Sequence, residues 1–277
     1  GKVVMFNTIG AIVGPVAASF LLIPLVGVSY AIVVLSVVVL VTSGMLILVV
    51  QRTMFPKKAF ITCCLGVAVS VTIFVSKYKV YILPPSFIKN TRQIIAYKEN
   101  VEGTYIVGEE SYGKNRILTT YVNNSVVIGT SYDAIKVVKM VGHLPFLLGL
   151  ECNNALVVGF GIGVTTAAIG IHPEVKNIDC VELVGNLTDV AHYYKDINNN
   201  IHFDNRLRFI QDDGRHFLQK TTKKYDLISS DPTHPILGSG SLYTQEYFQL
   251  CYDRLNPTGM VSQYLPLHKC NYHIITA

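Results

Sequence analysis

Three stretches of the chain run without a single charged residue: Ile9–Val28, Tyr30–Val50 and Ala59–Val75. Each is near the roughly 20 residues a helix needs to cross about 30 Å of hydrocarbon, so the pattern predicts three membrane-spanning helices. The first carries Gly10 and Gly14 as a G-x-x-x-G pair, followed by Ala17, Ala18 and Ser19. Small residues let helices approach closely where lipid gives no hydrophobic drive, so this face reads as helix packing. Pro15 and Pro24 are expected to kink or end that helix. No ionisable group lies at membrane depth, which excludes the usual signature of a transport path.

Beyond Lys79 the pattern changes to that of a soluble domain. Short alternating runs predict strands at Gln93–Lys98, Gly103–Glu109, Arg116–Val122 and Ser125–Thr130, with Asn123-Asn124 as a hairpin turn. A helix is expected over 132–149. From Asn154 strands and helices alternate, which predicts a parallel α/β sheet. Strands are expected at Ala155–Val158, Asn177–Val181, Leu207–Ile210, Tyr225–Ser229 and Met260–Tyr264. The helices between them are expected at Val164–Ile171, Leu187–Asn199, Arg215–Lys220 and Leu242–Leu255. The expected domains are a transmembrane segment over 1–78, a β-rich subdomain over 90–131 and an α/β domain over 132–277.

The composition agrees. Half of the 277 residues are hydrophobic and 15% are charged, against about 25% in an average soluble domain. Disorder is excluded. The net charge of +5 comes almost wholly from Lys2, Arg52, Lys57 and Lys58, because the first 75 residues contain no acid. The basic balance therefore belongs to the apolar segment and is no argument for nucleic-acid binding. Arg52, Lys57 and Lys58 argue for a cytoplasmic loop, while Lys77, Lys79, Lys89 and Arg92 pull the other way. Six cysteines without CxxC spacing read as free thiols, and His172, His192 and His202 show no metal spacing, so no metal is expected.

Candidate chemistry lies where strands end. In an open α/β sheet, ligands bind outside the carboxyl ends of the strands. Gly159, Gly161 and Gly163 follow the first strand and let the backbone turn and approach a ligand. The spacing lacks the third glycine of a nicotinamide-dinucleotide fingerprint, since Val164 stands there. Glu182 ends the second strand, where a carboxylate can accept from both ribose hydroxyls of a nucleoside. Asp213 follows the third strand and suits an adenine amino group or a turn. Asp231 follows the fourth and could hold an amine and take its proton. His234, three residues on, is a loop histidine able to titrate near neutrality.

These positions belong to a set of motifs. They are Ser111-Tyr112-Gly113, Gly129-Thr130-Ser131-Tyr132-Asp133, His143-Leu144-Pro145, Leu156 through Gly163, Val181-Glu182, Asp213 through Phe217, Tyr225 through Pro232, Gly238 through Tyr243 and Gln263 through Leu267. Together they resemble the spermidine synthase family of aminopropyltransferases, in its membrane-fused bacterial branch, over residues 100–268. The resemblance implies a small β-hairpin subdomain on a methyltransferase-like Rossmann domain. It implies no tightly bound cofactor. The co-substrate would be decarboxylated S-adenosylmethionine, and the acceptor a small-molecule polyamine such as putrescine. It places Glu182 on ribose, Asp213 on adenine, Asp231 on the attacking amine, and Tyr132 and His234 on the acceptor side. Ile162 stands where the family often has Asp, His234 where it has a second Asp, and Val137 where it has Tyr. Acceptor identity and the choice between decarboxylated and ordinary S-adenosylmethionine therefore stay open. A methyltransferase and a non-catalytic nucleoside-binding membrane protein are the alternatives. The expected partners are the acceptor and a lipid bilayer, and no nucleic acid; a homo-oligomer is left open. The expected location is integral to the membrane with the catalytic domain in the cytoplasm, where the donor is made. The chain begins almost inside an apolar run and stops before late strands that such a sheet would need, so it reads as truncated at the C-terminus.

Overall fold

The computed structural model describes residues 1–50, 66, 67, 69, 91–99, 103–112, 115–123, 125–185, 187–231 and 239–265, and the chain divides into two compact units. In the first, α1 (Lys2–Ala17) passes through a π-helical turn, Ala18–Leu22, into α2 (Ile23–Val50). A continuous apolar helix from Lys2 to Val28 is long enough to cross a membrane by length and composition, and Tyr30–Met45 forms a shorter apolar helix. The break between them falls at Gly27, whose φ of 81° and ψ of 168° are non-helical. It does not fall at the prolines. Pro24 lies just past the π-helical turn, and Pro15 is carried inside α1. Most of the third expected segment lies outside the described residues.

The second unit begins with a four-stranded sheet in the order β1 (Thr91–Glu99), β2 (Thr104–Tyr112), β3 (Asn115–Val122), β4 (Ser125–Gly129). Val122 pairs with Ser125, and Asn123 between them takes the φ of 47° that a tight hairpin turn requires; Asn124 lies outside the described residues. The Asn123 side chain also accepts from the Thr104 backbone N–H.

After α3 (Tyr132–Leu147) comes a five-stranded, wholly parallel sheet, β5 (Asn154–Val158), β6 (Asn177–Glu182), β7 (Leu207–Gln211), β8 (Tyr225–Ser230) and β9 (Leu255–Gln263). The spatial order is β7-β6-β5-β8-β9. Helices α4 (Val164–Gly170), α7 (Gly214–Lys220) and α8 (Gln245–Arg254) follow β5, β7 and β8. Both faces of the sheet are buried, because alternate residues of one strand feed different cores. Ala155 and Val157 join one cluster with Tyr105, Val138, Ile162 and Ile169, while Leu156 and Val158 join the other with Phe217, Tyr247 and Cys251.

Helices α3 and α4 lie against each other along the first face. A Cβ on Gly142 would stand 2.7 Å from Ala168 Cβ and 3.0 Å from the Thr165 carbonyl, so glycine is what permits this approach. The helix expected over 187–199 is instead broken into α5 (Thr188–Ala191), a 3-10 turn and α6 (Lys195–Asn198). Asn198 explains the break: it is fully buried and donates to the carbonyls of Ala191 and Ile162, both at 2.8 Å. The last expected helix is likewise shorter, since a 3-10 turn occupies Ser239–Tyr243 and Leu255 already opens β9.

Candidate active site

The strand order reverses between β5 and β8, which makes the carboxyl ends of these two strands the topological switch point. The loop after β5 holds Gly159, Gly161 and Gly163 at φ values of 95°, 54° and 83°. All three occupy the left-handed region that glycine enters at little cost. Gly163 also caps α4, and a Cβ there would meet the Phe160 ring at 2.9 Å.

Glu182 ties this loop to β6. Its Oε2 accepts from the backbone N–H of Phe160 at 2.7 Å and of Gly161 at 3.2 Å, and its Oε1 accepts from Val184 N–H at 2.9 Å. A carboxylate offers about four acceptor positions, so three are filled and one remains for a further donor while the loop keeps this shape.

Asp231, directly after β8, lies beside the same loop. Its Oδ1 is 3.8 Å from where a Cβ on Gly159 would stand, and its Oδ2 accepts a hydrogen bond from the hydroxyl of Thr165 on α4. Burial pushes the Asp231 carboxyl up to about 6; the Thr165 bond opposes that shift and the charge of Glu182 adds to it. A carboxylate titrating near the operating pH is suited to taking a proton in a reaction step.

Asp213 is the N-cap of α7, accepting from His216 N–H at 2.9 Å. Its other carboxylate oxygen makes no hydrogen bond among the described residues. Neighbouring Asp212 bonds the His216 ring at 2.8 Å, which holds its carboxyl below the usual range. Tyr132 opens α3 and is 79% exposed. Since α3 runs beside α4, with Val138 over Thr165, Tyr132 lies about 9 Å further along the helix axis toward the carboxyl end of the sheet. It makes no hydrogen bond to the carboxylates or the glycine loop among the described residues. His234 falls outside the described residues. The structure thus brings together the glycine loop, Glu182 and Asp231.

Three further residues emerge to which sequence reasoning assigned no role. Thr165 bonds Asp231, and Asn198 holds the Ile162 carbonyl of the loop. Gln263 ends β9 opposite Ser230, with both amide atoms buried and without a hydrogen-bond partner among the described residues. Its place at a strand end and in the Gln263–Leu267 motif were the available clues.

The family model described as "Spermine/spermidine synthase domain" matches residues 135–274. The polyamine aminopropyltransferase of Buchnera aphidicola subsp. Schizaphis graminum is 33% identical over 138 residues, covering 50% of this chain and 48% of the relative. That of Erwinia tasmaniensis is 30% identical over 167 residues, covering 60% of this chain and 58% of the relative. The chain thus spans about half the length of these curated relatives. Among solved structures, the spermidine synthase of Thermotoga maritima superposes with a TM-score of 0.55 at 22% identity, over 62% of this chain and 57% of that one. A spermidine synthase in complex with the transition-state analogue AdoDATO gives the same score and identity, over 62% and 58%. These likenesses carry the Rossmann-like fold. With the family model covering half the sequence, and with the glycine loop and two strand-end carboxylates gathered at its switch point, the chain belongs to the spermine/spermidine synthase family.

Proposed function

We propose that the chain is the catalytic part of a polyamine aminopropyltransferase, using decarboxylated S-adenosylmethionine as co-substrate and a small diamine as acceptor. The observation that carries this reading is Asp231, a carboxylate with a raised pKa at the switch point, facing the loop where the donor would lie. The family and the names of the relatives support it. In the reaction, the acceptor nitrogen attacks the methylene carbon beside the sulfonium. The new C–N bond forms as the C–S bond breaks, and the electron pair discharges sulfur to a neutral thioether. The nitrogen's proton passes to Asp231.

The remaining roles extend this reading. The glycine loop presents its backbone to the donor. Glu182 gives its open acceptor position to a ribose hydroxyl, and the free oxygen of Asp213 takes the adenine amino group. Tyr132 and His234 are assigned to the acceptor side, as the family resemblance implies. The domains are the apolar segment 1–78, the hairpin subdomain 90–131 and the Rossmann domain 132–277. The helix Lys2–Val28 anchors the protein in a bilayer, with the α/β domain on the cytoplasmic side where the donor is available.

The test is product mass spectrometry with each donor and a panel of diamines. Transfer of an aminopropyl group supports the reading, and transfer of methyl alone overturns it. In Asp231→Asn, turnover is expected to fall by roughly 10²–10⁴, the contribution of a positioned base. Wild-type kcat should lose activity below about pH 6, as Asp231 becomes protonated. Near wild-type turnover in the variant would remove Asp231 from the chemistry.

A further inference from the structure

Thr165 is buried, 3% exposed, in the first turn of α4 just past the glycine loop. A threonine hydroxyl has one proton to give. Two acceptors compete for it: Oδ2 of Asp231, and the Val138 carbonyl on α3 at 3.3 Å. The carboxylate is much the nearer, and a hydrogen bond to an ionised acceptor is roughly twice as strong as one to a neutral group. The usual alternative for a helical threonine is the carbonyl three or four residues back. Here those residues are Gly161 and Ile162, in the loop, and among the described residues the hydroxyl bonds Asp231 and the Val138 carbonyl instead. The hydroxyl is therefore directed across to β8.

We propose that Thr165 is a positioning residue for the transfer reaction: its hydroxyl clamps Oδ2 of Asp231, leaving Oδ1, the oxygen turned to Gly159, to receive the amine proton. This rests on the reading of Asp231 as the proton acceptor. The clamp fixes rotation of the carboxylate and helps it ionise in a buried place. Among the described residues, the other titratable groups facing Asp231 come from β6. Glu182 opposes its ionisation, and Cys180, whose own thiol is pushed far up by burial, stays neutral across the working range.

The experiment compares full-length wild type, Thr165→Val, Thr165→Ser and Asp231→Asn in detergent. Asp231 ionisation is followed by infrared titration of its carboxyl stretch, assigned by its loss in Asp231→Asn, and kcat and KM are profiled against pH. Valine keeps the shape and removes the donor; serine keeps the donor. In Thr165→Val the Asp231 midpoint and the acid limb of kcat should both rise by about one pH unit. At pH 6 that lowers kcat about five-fold, with donor KM changed less than about two-fold. Thr165→Ser should restore both. A midpoint that does not move in Thr165→Val, or moves equally in Thr165→Ser, overturns the clamp. Near wild-type turnover in Asp231→Asn overturns the underlying reading and with it the catalytic half of the proposal, while the titration still decides the clamp.

Discussion

Glu182 accepts three backbone N–H groups before any ligand arrives. A strand-end carboxylate read from sequence as a ribose contact is thus first a fastener for the glycine loop. The two tasks are coupled, because the loop shape and the open acceptor position depend on the same group. Glu182→Gln keeps the size but replaces one acceptor oxygen with a donor, so at least one of Phe160, Gly161 and Val184 loses its partner. Affinity for methylthioadenosine should fall by about 1–3 kcal/mol by calorimetry, with a loss of folding stability of similar order. Unchanged affinity would take Glu182 out of the pocket. Asp213 shows the same economy: one oxygen caps α7, and the other makes no hydrogen bond among the described residues.

Among the elements, β6 carries both a functional end and a structural middle. Its Asp179 is 4% exposed and takes bonds from Arg208 Nε and a second Arg208 nitrogen at 2.8 Å each, from the Tyr225 hydroxyl at 2.8 Å and from Lys223 at 3.1 Å. Burial works against its charge, but the bonds from Arg208, Tyr225 and Lys223 outweigh it and hold the carboxyl below its ordinary value. These contacts join β6 to β7, to β8 and to the turn before β8. Arg208 and Lys223 are half-exposed, which reduces the gain. Asp179→Asn is expected to cost about 1–3 kcal/mol in denaturant unfolding at neutral pH. A depressed folded pKa contributes stability that is present above the unfolded value, near 4, and is lost as pH falls through the folded value. The gap between wild type and variant should therefore close in acid. A gap that stayed constant down to pH 2 would mean that packing, not charge, explains it. The element boundaries also show where local pattern reached its limit. Apolar spacing over 187–199 fits one helix, yet Asn198 is drawn inward to the glycine loop and the helix breaks to let it.

For the molecule as a whole, the sharp division is chemical. Val3, Val4, Phe6, Ile12, Phe20 and Leu25 are all more than half exposed on the Lys2–Val28 helix, whereas the sheet residues of the α/β domain lie between two closed cores. Such a helix in water would expose a large contiguous apolar surface, well beyond what soluble monomers tolerate. The full chain is expected to sediment with lipid or require detergent, and residues 90–277 alone to be more soluble. A monodisperse full chain in plain buffer would refute the bilayer anchor.

Sequence by itself determined the elements and their class. Period-two runs and charge-free stretches are local properties, so the strands appear within a few residues of where they were expected, and Asn123 announced its own turn. The alternation of strand and helix required a parallel sheet, and the motif set pointed to Glu182, Asp213 and Asp231 as candidate carboxylates, of which Glu182 and Asp231 lie beside the glycine loop. Only the tertiary structure decided the order β7-β6-β5-β8-β9, and hence that the glycine loop and Asp231 share one crevice. Strand order depends on non-local pairing, which residue patterns do not encode. It also decided the partners. Thr165 is 66 residues from Asp231 and Asn198 is 36 from Ile162; a threonine in an apolar helix and an asparagine in a polar run have no local mark of their targets. A hydrogen bond between distant positions exists only once the sheet has brought them within 3 Å.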